Sequence, residues 1–317
     1  MMRGASAAEV AKFAALNEHW HNPNGPLRSL HMFNPLRVQY VNEAVKKFGK
    51  TVAATPPPSA AVGADKKHEA AMNFYLRKND KHLVSSLTPQ HRVLDVGCGG
   101  GILAEPLARL GANVLGIDVV GESIAVAEQR RAQLIQQQAA HYADAPAMRF
   151  AESRLQYRQV SLFDLLAEEE GKAAKAAEAA EGEDAFFDVV VATEVIEHVD
   201  DARGFLSALC NITKPNGGLL VISTMEKNWF TYLSHILVAE HVTGLVKPGT
   251  HDWTRFIDRD RLDKYVTTKH DVRPVDYQYI VSCPDIPQSL ATRNFQIQFS
   301  LSRSAKTGHY LWTGVRA

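Results

Sequence analysis

The chain has 317 residues, of which 45% are hydrophobic and 22% charged, proportions that exclude a disordered, collagenous or coiled-coil protein. Its 35 Lys and Arg balance 35 Asp and Glu, so it lacks the electrostatic footprint of a nucleic-acid binder. Cys98, Cys210 and Cys283 share no CxxC or zinc-ligand spacing, which excludes a disulfide framework and implies a reducing compartment.

In chain order, Met1 to Val10 is too short and too weakly basic to define a transit peptide. Ala8 to Trp20 is apolar at helical spacing, Asn22-Pro23-Asn24-Gly25-Pro26 marks a turn, and Leu36 to Phe48 resumes the helical period. Pro56-Pro57-Pro58 lies in an extended loop over 51–64, and 66–87 return to helix. Residues 1–87 thus form an N-terminal helical cover, and 88–317 the main domain. From Arg92 the pattern becomes short β-branched runs alternating with helices: Arg92 to Val96, Asn113 to Ile117, Leu155 to Val160, Phe187 to Ala192 and Gly218 to Ser223. That alternation specifies a doubly wound, Rossmann-like parallel sheet of the α/β class. Gln129 to Pro146 extends the helix after the second strand, and the Ala/Glu/Lys tract Ala167 to Asp184 reads as a solvated helix or mobile loop.

Val93-Leu94-Asp95-Val96-Gly97-Cys98-Gly99-Gly100-Gly101 runs an apolar strand into glycines and then a helix over 102–110. Gly97 and Gly99 let a ligand approach the backbone, and the helix start offers free N–H groups. Nicotinamide, flavin and S-adenosylmethionine binders all use such loops. Asp118, ending the second strand, is placed to accept both hydroxyls of a ribose. Leu103 stands where a dinucleotide fingerprint has its third Gly or Ala, so the Asp-x-Gly-x-Gly-x-Gly pattern fits a methyltransferase better.

Thr193-Glu194-Val195-Ile196-Glu197-His198 continues from the fourth strand at the end where doubly wound sheets bind ligands. If Glu194 opens a helical turn, Glu197 and His198 share its face, giving a divalent-metal or proton-transfer cluster. The alternative is a helix start whose acids answer its dipole. After the fifth strand, Asn228 to Val246 carries Trp229, Phe230, Leu233, Ile236 and Leu237 with few charges, interrupted by His235, Glu240 and His241. It is too short a run to cross a bilayer and reads as a lid, a membrane-interface helix or a helix buried on the sheet.

With these residues in view the chain resembles the ubiquinone-biosynthesis O-methyltransferases, class I S-adenosylmethionine-dependent enzymes of bacteria and mitochondria. The likeness spans residues 8–266 and rests on Leu30-His31-Met32-Phe33-Asn34-Pro35-Leu36-Arg37, on Glu194-Val195-Ile196-Glu197-His198-Val199 and on Lys247-Pro248-Gly249-Thr250-His251-Asp252. It implies that Gly97, Asp118 and Thr193 contact S-adenosylmethionine, that Arg37 reaches its carboxylate, and that Glu194, Glu197 and His198 bind Mg²⁺. Such an ion would act as Lewis acid and template for a catechol, with Glu197 and His198 the catalytic residues; the competing proposal makes His198 a metal-free general base. The likeness further implies polyprenylated catechol substrates (3-demethylubiquinol and 3,4-dihydroxy-5-polyprenylbenzoate) and a complex with other ubiquinone-biosynthesis proteins; such substrates favour the lid reading of 228–252, while the apolar segment Asn228 to Val246 itself leads to an expectation of peripheral membrane contact. The place implied is the matrix side of the mitochondrial inner membrane, with a bacterial cytoplasm as the alternative. Thr193 departs from the family's Met, and the tail Asp271 to Ala317 reads only as two closing strands and a turn. Methylation of another small acceptor and a noncatalytic cofactor-binding scaffold are the competing readings; a nicotinamide oxidoreductase is disfavoured by the glycine spacing.

Overall fold

The computed structural model describes residues 7–49, 85–141, 152–179, 186–228, 231, 253–284, 286–287 and 297–317. Five parallel strands, β1 (Arg92–Val96), β2 (Asn113–Asp118), β3 (Leu155–Gln159), β4 (Val189–Thr193) and β5 (Leu219–Met225), match the five apolar runs closely. Three antiparallel strands complete the sheet: β6 (Val272–Pro284), β7 (Ile297–Ser302) and β8 (His309–Arg316), in the order β3-β2-β1-β4-β5-β8-β6-β7.

The runs were legible because both faces of the central strands are covered, which demands apolar side chains at every position. Val93, Val189, Val191, Leu219 and Val221 point into one core, with α2 (Arg28–Phe48), α3 (Ala104–Arg109) and α4 (Gly121–His141). Leu94, Val190, Ala192, Leu220 and Ile222 point into the other, with α5 (Leu162–Ala179), α6 (Ala202–Ile212) and α7 (Arg259–His270). Strand order reverses between β1 and β4, which leaves a crevice beyond their carboxyl ends.

The helical cover differs in detail from its sequence reading. Helix α1 (Ala7–Ala14) stops early and passes through a 3-10 turn, Asn17–His19, to Trp20. Helix α2 begins ahead of Pro35 and runs through it; the proline forgoes only one backbone bond, and Phe33 on the near side is held in the core. Residues 85–87 are not helical, and the remainder of 66–87 lies outside the described residues. Tyr40 on α2 is fully buried, and its hydroxyl donates to the Asp276 carbonyl at 3.2 Å and accepts from Thr313 Oγ1 at 3.1 Å. The cover is thereby joined to the antiparallel end of the sheet.

The tail forms three strands where two were expected. Strand β6 has 13 residues, so its first part pairs with β8 and its last part, from Tyr279 to Pro284, pairs with β7. Pro274 is accommodated at a register shift between Pro274 and Asp276. The acidic tract is helical as far as Ala179, and Glu169 within it is buried against Arg92 and Lys172. The proline-rich loop at 51–64 and the segment at 228–252, apart from Asn228, Thr231 and the turn that starts at Trp253, lie outside the described residues. No helix among the described residues is long and apolar enough to cross a membrane.

Candidate active site

Strand β1 ends in a turn that only glycine adopts without strain, with φ of +71° at Gly97 and +52° at Gly99. The N–H groups of Gly97 and Cys98 both donate to the Ile117 carbonyl, at 2.8 and 3.0 Å. Asp118 then clamps the turn to β2: its Oδ2 accepts from Gly99 N and its Oδ1 from Val120 N, each at 2.9 Å. Burial raises its carboxyl above the ordinary range despite these bonds. Each oxygen keeps a second lone pair, enough to receive a vicinal diol.

A pocket with about 1230 Å³ of empty space, open to solvent, occupies the crevice. Arg37, Gly97, Asp118, Thr193, Glu194 and His198 all line it. Gly99 and Glu197, the other residues singled out in the sequence, are not among its lining residues. Thr193 closes β4 in register with Ser223 on β5.

The polar atoms left over in the pocket say what it is built to hold. Arg37 is 3% exposed, yet its Nε and Nη2 have no hydrogen-bond partner among the described residues. Asp95 Oδ2 and Asn34 Oδ1 are likewise buried without one. Unmatched buried groups of this kind are costly and rare. A guanidinium whose Nε is unmatched and whose Nη2 is only ion-paired, 3.4 Å from Glu194, beside unmatched carboxylate and amide oxygens, complements a carboxylate and an ammonium, the two ends of an amino-acid head group. Asp95 and Asn34 were not singled out as site residues, although both stand inside the motifs that were; Asn34 is fixed by its Nδ2, which donates to the Ile102 carbonyl at 2.8 Å.

Burial pushes the Asp95 carboxyl up to about 7, against the opposing pull of the Arg37 charge. The native state then binds a proton that the unfolded chain releases above about pH 4, so stability falls as pH rises from there to about 7 and is flat beyond. A difference of that size is worth about 4 kcal/mol. Asp95→Asn is expected to flatten the fall in urea midpoint between about pH 5 and 7; a slope as steep as the parent's would assign it to other groups.

The Glu-x-x-Glu-His segment departs from expectation. Glu194 has φ of +54°, so it does not open a helical turn; the 3-10 turn spans only Ile196–His198. Its carboxylate turns back into the protein, accepting from Ser223 Oγ at 2.6 Å and lying 2.8 Å from His309 Nδ1 and 3.4 Å from Arg37 Nη2. Burial alone would raise its proton affinity, but His309, Arg37 and Ser223 outweigh that and hold it ionised well below the usual carboxylate range. Glu197 accepts from Thr224 Oγ1 at 3.1 Å, and burial together with the charge of Glu194 pushes it up to about 8. His198 faces elsewhere: its Nδ1 lies 2.9 Å from Glu9 Oε2 and its ring meets Phe13 edge-on.

The expectation that Glu194, Glu197 and His198 share one helical face is therefore corrected. Among the described residues no group of three His, Cys, Asp or Glu side chains is arranged to hold a metal ion. The two buried carboxylates suit a hard divalent cation; the imidazole, turned to Glu9, does not join them. His309, Glu9 and Phe13 were missed because they lie on β8 and α1, far away in sequence. An acidic first turn and an isolated histidine in a strand carry no local signal of what they will meet.

Relatives decide the family. A family model described as a methyltransferase domain matches residues 61–268. The ubiquinone biosynthesis O-methyltransferase of Cereibacter sphaeroides (strain ATCC 17029) is 32% identical over 302 residues, covering 95% of this chain and 96% of its own. This chain belongs to the ubiquinone biosynthesis O-methyltransferase family. The Bradyrhizobium sp. (strain ORS 278) member is 31% identical over 259 residues, covering 82% of this chain and 78% of that one. Among solved structures, magnesium protoporphyrin IX methyltransferase from Synechocystis with bound SAH shares 14% identity over 90% of this chain and 96% of that one, at a TM-score of 0.41, too loose a likeness to add to the fold. The protein is thus an S-adenosylmethionine-dependent O-methyltransferase of the class I, doubly wound kind, as its sequence resemblance implied.

Proposed function

We propose that this methyltransferase moves the methyl group of S-adenosylmethionine to a phenolic oxygen of a polyprenylated catechol in ubiquinone biosynthesis, 3-demethylubiquinol or 3,4-dihydroxy-5-polyprenylbenzoate. The cofactor half rests on one observation: buried Arg37, Asp95 and Asn34 atoms that lack a hydrogen-bond partner among the described residues, in the pocket that Asp118 also lines. In this reading Arg37 takes the cofactor's carboxylate, Asp95 and Asn34 its ammonium, and Asp118 the ribose diol. The substrate half rests on the family.

A phenol titrates near pH 10, so at neutral pH only about one in a thousand molecules is ionised. His198 is the group placed to take that proton. Burial lowers its proton affinity, with Glu9 opposing, and the neutral ring donates from Nδ1 to Glu9 and keeps its lone pair on Nε2. The pocket holds donor and acceptor in one frame, which supplies much of the rate.

A second reading adds Mg²⁺, favoured by two buried carboxylates of which Glu197 has its proton affinity raised by burial and then by the charge of Glu194. Held by Glu194 and Glu197, the ion would supply Lewis acidity to a catechol oxygen. We further take the protein to act in a bacterial cytoplasm against the membrane, beside other enzymes of the pathway, since the relatives named above are bacterial; they lend the mitochondrial placement no support.

Product mass after incubation with S-adenosylmethionine and a short-chain prenyl catechol tests the whole. A gain of one methyl group, reduced roughly 100-fold or more in His198→Asn, is expected for general-base removal of the proton. Full activity after thorough chelation would remove Mg²⁺ from the account, and cofactor binding with no methylated product would favour a scaffold.

A further inference from the structure

The space in front of the glycine turn is already filled by this chain. Trp20 is 6% exposed, and its indole lies against Gly99 and Gly100 so closely that a Cβ on either would overlap it. At Gly97 and Gly101 the crowding groups are instead Val195 and Tyr157. Trp20 also lines the cofactor pocket. Two of the turn's glycines therefore serve an indole as well as a ligand.

The segment that carries Trp20 crosses the pocket mouth. At one end Glu9 and Phe13 meet His198, beside β4. At the other, His31 Nε2 donates to the Trp20 carbonyl at 2.8 Å. Between them, Asn17 Oδ1 accepts from Trp20 Nε1 at 3.2 Å and from Ser123 Oγ, at the start of α4, at 3.1 Å. Of these bonds, the His31 and Trp20 ones brace the segment internally, while those from His198 to Glu9 and from Ser123 to Asn17, with the Phe13 ring on His198, tie it to the rest of a pocket that a cofactor must enter and leave.

We propose that Trp20 positions the cofactor, and that the segment from Glu9 to His31 is a strap that lifts to admit it and closes by seating the indole on Gly99 and Gly100. The inference rests on reading the pocket as the S-adenosylmethionine site. A seated indole excludes water from one wall of the pocket and slows escape of whatever lies behind it. Gly100 gives a clean probe: its φ is outside the left-handed region, and the three atoms nearest an added Cβ all belong to Trp20, so Gly100→Ala acts as a wedge against the indole.

Calorimetry and stopped-flow binding of S-adenosylhomocysteine to the full chain test it. Trp20→Ala is expected to weaken binding by about tenfold, mainly through faster dissociation, and to raise KM for S-adenosylmethionine more than it lowers kcat. Trp20→Phe should recover most of the loss. Gly100→Ala should weaken binding about fivefold alone but by less than about twofold in a Trp20→Gly background, which removes the Trp20 Cβ, Cγ and Cδ2 that the new methyl would meet, the coupling expected of groups in contact. Binding by Trp20→Ala within about twofold of the parent, or an equal cost of Gly100→Ala in both backgrounds, overturns the proposal. Should Trp20→Ala or Trp20→Gly fail to fold, Gly100→Ala alone decides, and binding within about twofold of the parent overturns the proposal. If the unaltered protein binds no S-adenosylhomocysteine, the cofactor reading itself falls, and the strap with it.

Discussion

Replacing Arg37 with Met is expected to weaken S-adenosylhomocysteine binding roughly 30- to 100-fold, about 2 to 3 kcal/mol, the loss of a charge-assisted hydrogen-bonded pair in a buried site. The change also strips Glu194 of one of its neutralising neighbours, leaving His309 and Ser223 to hold the ionised carboxylate. Stability should therefore fall along with affinity, because removing one partner leaves a buried charge less well compensated. Arg37→Lys separates the two roles. An ammonium preserves the charge beside Glu194 but lacks the planar fork, so the melting temperature should recover while affinity stays at least about tenfold below the parent. Calorimetry and thermal melts on the same samples check this; a Lys variant that binds as tightly as the parent would show that Arg37 supplies charge alone.

Asp118→Ala should cost more, roughly 100-fold or greater in cofactor affinity, because two or more hydrogen bonds to one ionised group are lost together. The bonds to Gly99 N and Val120 N disappear with the carboxylate, so the glycine turn keeps only the Gly97 and Cys98 bonds to Ile117 as hydrogen-bonded ties to β2. Asn offers little relief. One of its two positions is a donor, and it would be set against a backbone N–H whichever way the amide is turned. Folding stability should fall too, because the Gly99 and Val120 N–H groups lose their acceptor, with part of that loss offset by relieving the burial of this carboxyl. Undiminished heat and stoichiometry in a folded Asp118→Ala protein would remove the diol contact, and with it the nucleoside from the pocket.

Some of the site was legible because its signals are local. The glycines at 97 and 99 are required by φ angles within a single turn, and Asp118 is fixed relative to them by one strand pairing. Arg37 came into view through motif likeness and Glu194 and His198 through their spacing after the fourth strand, and all three line the pocket. Their partners did not come into view. Glu194 was assigned to a helical turn by spacing, but its bonds to Ser223 on β5 and its approach to His309 on β8 hold it at φ of +54°. No pattern within a few residues of Glu194 reports a strand that arrives more than a hundred residues later. Trp20 read as the end of an amphipathic helix, whereas its packing is set by the bare backbone of Gly99 and Gly100.

By itself the sequence determined the doubly wound sheet, the glycine turn with its aspartate, and the family. These follow from strands buried on both faces and from short-range backbone geometry, which leave their mark residue by residue. Only the tertiary structure decided that the tail adds three strands, that the two glutamates part from the histidine, and that the N-terminal segment roofs the pocket. Those outcomes depend on which distant side chain supplies the hydrogen bond or the counter-charge, and that choice is made when the chain closes on itself.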